Sequence, residues 1–167
     1  MKLDDILAKF VTLATIVFVG CQSNAIIIDN CNNACRKAED ALGQMQQVRD
    51  FIVDYANNGQ TNISSDQMMK QIMPKANIAA NLLAEAGEYL NECVVQDDSL
   101  FKLRGYIQSL AAYEDRLRTI YTLCNNKRLM SITGYDNEIQ LIITSLDNTA
   151  NSIVSTVLSI EAFSDSL

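Results

Sequence analysis

The sequence predicts an all-α protein, an antiparallel up-down-up-down four-helix bundle carried behind an N-terminal signal or anchor segment. Three observations predict it. Apolar residues recur at alternating steps of three and four through four successive stretches, the seam of helices that pack along their length. One Pro and six Gly in 167 residues are too few turn formers for a sandwich or barrel of many short strands. The connections between the stretches are short, roughly seven, then two or three, then about eight residues, which makes consecutive helices antiparallel neighbours. The length suits one domain with a real core.

The first stretch has the seam Ala34, Ala38, Ala41, Met45, Val48, Ile52 and Tyr55, and stops at the polar run Asn57-Asn58-Gly59-Gln60-Thr61-Asn62. The second opens on Ser64-Ser65-Asp66-Gln67, a pattern in which a Ser hydroxyl accepts from an amide three residues on. Its seam is Met69, Ile72, Ala76, Ala79, Leu83, Ala86, Leu90 and Cys93. Pro74 falls one turn inside, so regular helix begins or kinks there. The third follows Asp97-Asp98-Ser99 with Leu100, Leu103, Ile107, Leu110, Leu117, Tyr121 and Cys124, broken only by Glu114. The fourth begins near Asp136, whose carboxylate suits a helix cap, and runs Ile139, Ile143, Leu146, Ala150, Ile153, Val157 and Ile160. Gly87 and Gly105, on either side of the Asp97-Asp98 turn, are expected to face each other at one level, with close backbone contact offsetting the helix stability each lacks.

Ahead of the bundle, the run Phe10 to Gly20 is apolar apart from two Thr. That is the length of a signal-peptide core and too short to span a bilayer. It ends in Val17-Phe18-Val19-Gly20-Cys21, a small residue followed by a cysteine at the usual distance from Met1. Residues 1–21 resemble the signal of bacterial lipoproteins, and the resemblance implies acylation of Cys21 as the new N-terminus. Phe18 stands where that family usually has Leu, and Asp4 and Asp5 offset Lys2 and Lys9. The chain then divides into a signal or N-terminal hydrophobic helix at 1–21, a tether at 22–33 and the bundle at 34–167. The rival reading keeps residues 1–21 as an uncleaved helix of a cytosolic or virion structural protein.

A net charge of −7 disfavours a nucleic-acid partner, whose binding relies on clustered Lys and Arg. Histidine is absent, which removes the commonest general base and the commonest neutral metal ligand. No catalytic residue, metal site or cofactor is assigned. Glu114 is the single carboxylate on an apolar seam, and such a charge more often specifies register or tilts to the surface than acts on a substrate. Cys31 and Cys35 share one face of a helix. With the helices alternating in direction, they lie at the same end as Cys93, while Cys124 belongs to the other end. A Cα separation beyond about 7 Å forbids a disulfide, and a helix of roughly 27 residues spans about 40 Å. Cys124 is thereby excluded, Cys31 or Cys35 can meet Cys93, and the expected bridge in an oxidising compartment is Cys31 to Cys93 because both fall on seams.

From Leu129 to Leu167 there is no Lys or Arg, and the polar positions are mostly Ser, Thr and Asn. A face so weakly charged tolerates being covered, so Ile153, Val154, Val157 and Leu158 are expected to form a surface for a partner protein or a second copy. These features together predict a non-enzymatic cell-envelope lipoprotein, lipid-anchored and facing the periplasm or exterior, that acts by binding or assembly at a membrane. In outline it is also similar to the small helical exported proteins of conjugation and type IV secretion machines.

Overall fold

The backbone turns into its first helix at Ser23, whose carbonyl oxygen accepts from the amides of Ile26 (2.8 Å) and Ile27 (3.4 Å). In the computed structural model, which describes residues 23–57, 68–125 and 135–167, four long helices follow: α1 (Asn24–Asn57), α2 (Met73–Gln96), α3 (Phe101–Asn125) and α4 (Tyr135–Ser164). A π-helical turn at Met68–Ile72 leads into α2. The described residues contain no strand.

Pro74 explains the start of α2. It has no N–H to give the carbonyl four residues back, so it fits only the first turn of a regular helix, and it occupies that turn here. The chain ahead of it is wound in the wider π turn instead. Helix α2 ends where Asp97 turns extended, with its amide still donating to the Cys93 carbonyl at 3.2 Å. The Asp97 carboxylate then accepts from the Ser99 amide at 2.8 Å, a local bond that closes the tight link into α3, and the Ser99 side chain, together with that amide, holds this carboxyl below its ordinary value. The Ser64–Gln67 cap pattern lies outside the described residues, and so does the side chain of Asp136.

The seams read from the heptads form the core. Ala34, Ala38, Ala41, Met45, Val48 and Ile52 of α1 are buried, as are Ile72 of the π turn and Ala76, Ala79, Leu83, Ala86, Leu90 and Cys93 of α2. Leu103, Leu110 and Leu117 of α3 join Ile143, Leu146, Ile153, Val157 and Ile160 of α4 in the same cluster. Burying a Leu or Ile fully contributes about 2 kcal/mol relative to leaving it in water, so this stripe is the main force joining the rods.

Two expectations are corrected. Residues 24–33, read as a tether, are the first turns of α1. Ile27, Cys31 and Ala34 carry the seam back by the same steps of four and three, and all three are buried. Gly87 and Gly105 do not meet: an added Cβ at either would find nothing within 4 Å. Their distances from the turn differ, so Gly87 lies beside Ile107, Ala111 and Glu114 instead.

Contacts between helices pair low numbers with high ones. Between α1 and α2, Asn30 meets Cys93, Lys37 meets Glu85 and Lys75 donates to Gln47. Between α1 and α4, Asn24 donates to the Leu167 carbonyl, the Cys35 thiol lies 3.9 Å from the Val157 carbonyl, and Arg49 grips Asp147. Arg118 of α3 reaches Asn77 and Asn81 of α2. Helix α4 leans chiefly on α1 and more sparingly on α3, to which the Tyr106 hydroxyl ties it by donating to the Ser159 carbonyl at 3.2 Å.

Candidate interaction surface and buried thiol cluster

The outer face of α4 differs in chemistry from the other helix surfaces. Its exposed positions from Gln140 to Leu158 are Gln140, Leu141, Thr144, Asn148, Asn151, Val154, Ser155 and Leu158, all uncharged. Asp147 is the one ionisable group in that stretch, and Arg49 holds it with two hydrogen bonds of 2.6 and 3.2 Å. The guanidinium, in turn, is held in its charged form by that bond and by the carboxylate's charge. Ser152 and Thr156 turn their hydroxyls back to the carbonyls of Asn148 and Ser152, so their polarity is partly spent within the helix. By contrast, α1 exposes Asp29, Arg36, Glu39, Asp40, Asp50 and Asp54.

The four residues expected to form the docking stripe divide into two pairs. Ile153 and Val157 are core residues, 0% and 6% exposed, and are unavailable to a partner. Val154 and Leu158, at 44% and 59%, stand out from the surface one turn apart. The physical reason is the heptad itself: Ile153 and Val157 continue the seam from Leu146, and a side chain cannot face the core and a partner at once.

Cys31, Cys35 and Cys93 come together inside the bundle near the start of α1 and the end of α2, and all three are buried free thiols. The bridge between Cys31 and Cys93 is not formed in this structure. Burial pushes the Cys31 thiol up to about 12, with the neighbouring Cys93 and Cys35 adding to the effect, because a second thiolate charge nearby is unfavourable. Burial also raises Cys35, to about 11, helped by Glu161 and Glu39. Cys93 is raised by burial too, but the Asn30 side-chain amide donates to its sulfur at 3.3 Å and works the other way. Thiols protonated this firmly are poor nucleophiles. Among the described residues, no group of three or more His, Cys, Asp or Glu side chains is arranged to hold a metal ion. Asn30 escaped the sequence reading because it sat in the supposed tether; its position one residue before a seam cysteine was the available signal. Cys21 and the side chain of Cys124 lie outside the described residues.

Glu114 borders an open groove of about 360 Å³ between α2 and α3, lined also by Leu83, Gly87, Asn91, Ile107 and Ala111. Its carboxylate is bound by Arg118 one turn on, at 2.9 Å, and Arg118 also reaches the α2 amides of Asn77 and Asn81. Glu114 therefore takes part in an interhelical polar clasp on the protein surface. The Arg116 guanidinium lies 5.9 Å from the Tyr113 ring centre, a cation–π contact on the same helix.

No helix among the described residues is long and apolar enough to cross a membrane. Comparison with protein-family models, with curated proteins and with solved structures returned no match. The functional reading therefore rests on the chemistry of this chain's own surfaces.

Proposed function

We propose that this chain is a lipid-anchored cell-envelope protein, an up-down-up-down helical bundle that acts by binding another protein through the outer face of α4. The observation that carries the binding role is the uncharged face from Gln140 to Leu158, with Val154 and Leu158 standing exposed toward its C-terminal end. A face meant only for water normally mixes charges of both signs, whereas one built from Thr, Asn, Ser and aliphatic groups is covered at little desolvation cost. The anchor is supported by the sequence Val17-Phe18-Val19-Gly20-Cys21. The alternation of helix direction is supported by the contact pairs Asn30 with Cys93 and Asn24 with Leu167. In an oxidising compartment the clustering of Cys31 with Cys93 favours their pairing as a staple between α1 and α2.

A photo-crosslinking residue placed at Leu158 in the cells that make the protein tests the binding role. A discrete cross-linked species is expected there, and none from the same probe at Glu88 on α2. Absence of any cross-link from Leu158, or equal yields from both sites, contradicts it.

A further inference from the structure

Among the described residues, four large apolar side chains stand in water at one end of the molecule. Val95 and Phe101 flank the link between α2 and α3 and are each 77% exposed, with Ile26 at 50% and Leu167 at 39%. Contacts bring these four to one level: the Asn24 side chain donates to the Leu167 carbonyl at 2.8 Å, and Asn30 meets Cys93, two residues before Val95. Phe101 follows four residues after Asp97, whose amide is still bonded to Cys93. None of the four belongs to a heptad seam, so packing within the bundle does not call for them.

The same end is where the chain comes from its apolar N-terminal run. Cys21 precedes Asn24 by three residues, a reach of at most about 11 Å even when fully extended. Whatever fixes Cys21 to a bilayer keeps Asn24, and with it this end of the bundle, close to that bilayer. The charges at this end are Asp29, Asp97, Asp98 and Asp165 against Lys102 and Arg104, and Arg104 is already paired with Asp98 at 2.9 Å. Such an acidic excess is repelled by anionic headgroups and is compatible with zwitterionic ones.

We propose that this end of the protein is a membrane-contact surface, with Phe101 and Val95 inserted among the headgroups of a zwitterionic bilayer and Ile26 and Leu167 resting on it. The proposal rests on the reading of Cys21 as a membrane anchor. It adds that the bundle does not swing freely from that anchor but stands on the membrane, with its long axis directed away from the surface. Leu141, at the far end of α4, then points into water.

The chain has no Trp, so a single introduced Trp reports its own surroundings. Full-length protein carrying Phe101→Trp, Val95→Trp or Leu141→Trp, prepared with its native processing, is mixed with phosphatidylcholine vesicles bearing bromine high on the acyl chains. Emission from positions 101 and 95 is expected to shift to the blue and lose most of its intensity on vesicle-bound protein, while that from 141 stays unchanged. Protein that floats with the vesicles but leaves position 101 unquenched overturns the contact surface and leaves the anchor standing. Protein that neither floats nor carries lipid at Cys21 overturns both. A blue shift at position 101 that appears without vesicles and grows with protein concentration assigns this end to a second copy of the chain and also overturns the proposal.

Discussion

Replacing Gly87 and Gly105 with Ala is expected to stabilise the protein. Both lie inside long helices, and a Cβ built on either finds no atom within 4 Å, so the methyl group meets no clash. The cost of Gly in a helix interior then remains uncompensated, about 1 kcal/mol per site relative to Ala. The two sites differ in their distance from the turn at Asp97 and share no partner, so their effects should add to about 2 kcal/mol. For a domain of this size that corresponds to a rise in Tm of roughly 4–8 °C. Thermal unfolding followed by circular dichroism, with urea titration as a second measure, reads the change in single and double variants. A loss of stability in either single variant would mean that the helices approach more closely there than the geometry shows. A sub-additive double variant would mean that the two glycines share one contact after all.

Other perturbations probe the core and the thiols. Leu90→Ala removes a fully buried side chain from the α2 seam and should cost about 2–5 kcal/mol in urea unfolding; a loss under 1 kcal/mol would place it outside a packed core. In reductant, the reduced protein should weaken as pH rises above 9. The folded Cys31 thiol keeps its proton until about pH 12 while the unfolded chain releases it near 9.0, so stability is full below pH 9 and lost as pH rises through that window. By pH 10 the loss arising from Cys31 is about 1.4 kcal/mol, and Cys31→Ala should remove that part of the slope. Peptide mapping, without reductant, of the protein taken from the cells that make it should recover Cys31 joined to Cys93 if its compartment is oxidising, closing a long loop and contributing about 4 kcal/mol; a bridge to Cys124 would contradict the helix arrangement.

Much of the fold was legible because the heptad seam obeys a single rule: every described seam residue of the α1 and α2 reading is buried. The start of α1 was hidden by polarity. Asn, Asp and Ser crowd residues 22–33 and read as tether, although Ile27 and Cys31 already carried the repeat. Pairing across the interfaces was less legible, as Gly87 and Gly105 show, since register depends on where the Asp97–Leu100 link turns and not on spacing within either helix. The α4 surface was found by its missing charges, yet two of its four residues belonged to the seam. The exposed collar of Ile26, Val95, Phe101 and Leu167 was invisible in one dimension, because only folding gathers those positions.

The proposed lipid anchor at Cys21 is tested most directly by intact-mass and N-terminal peptide spectrometry of the protein taken from the cells that make it. A chain beginning at Cys21, heavier by a diacylglyceryl group on its sulfur, is the predicted result. A chain still beginning at Met1 with an unmodified Cys21 thiol would contradict it.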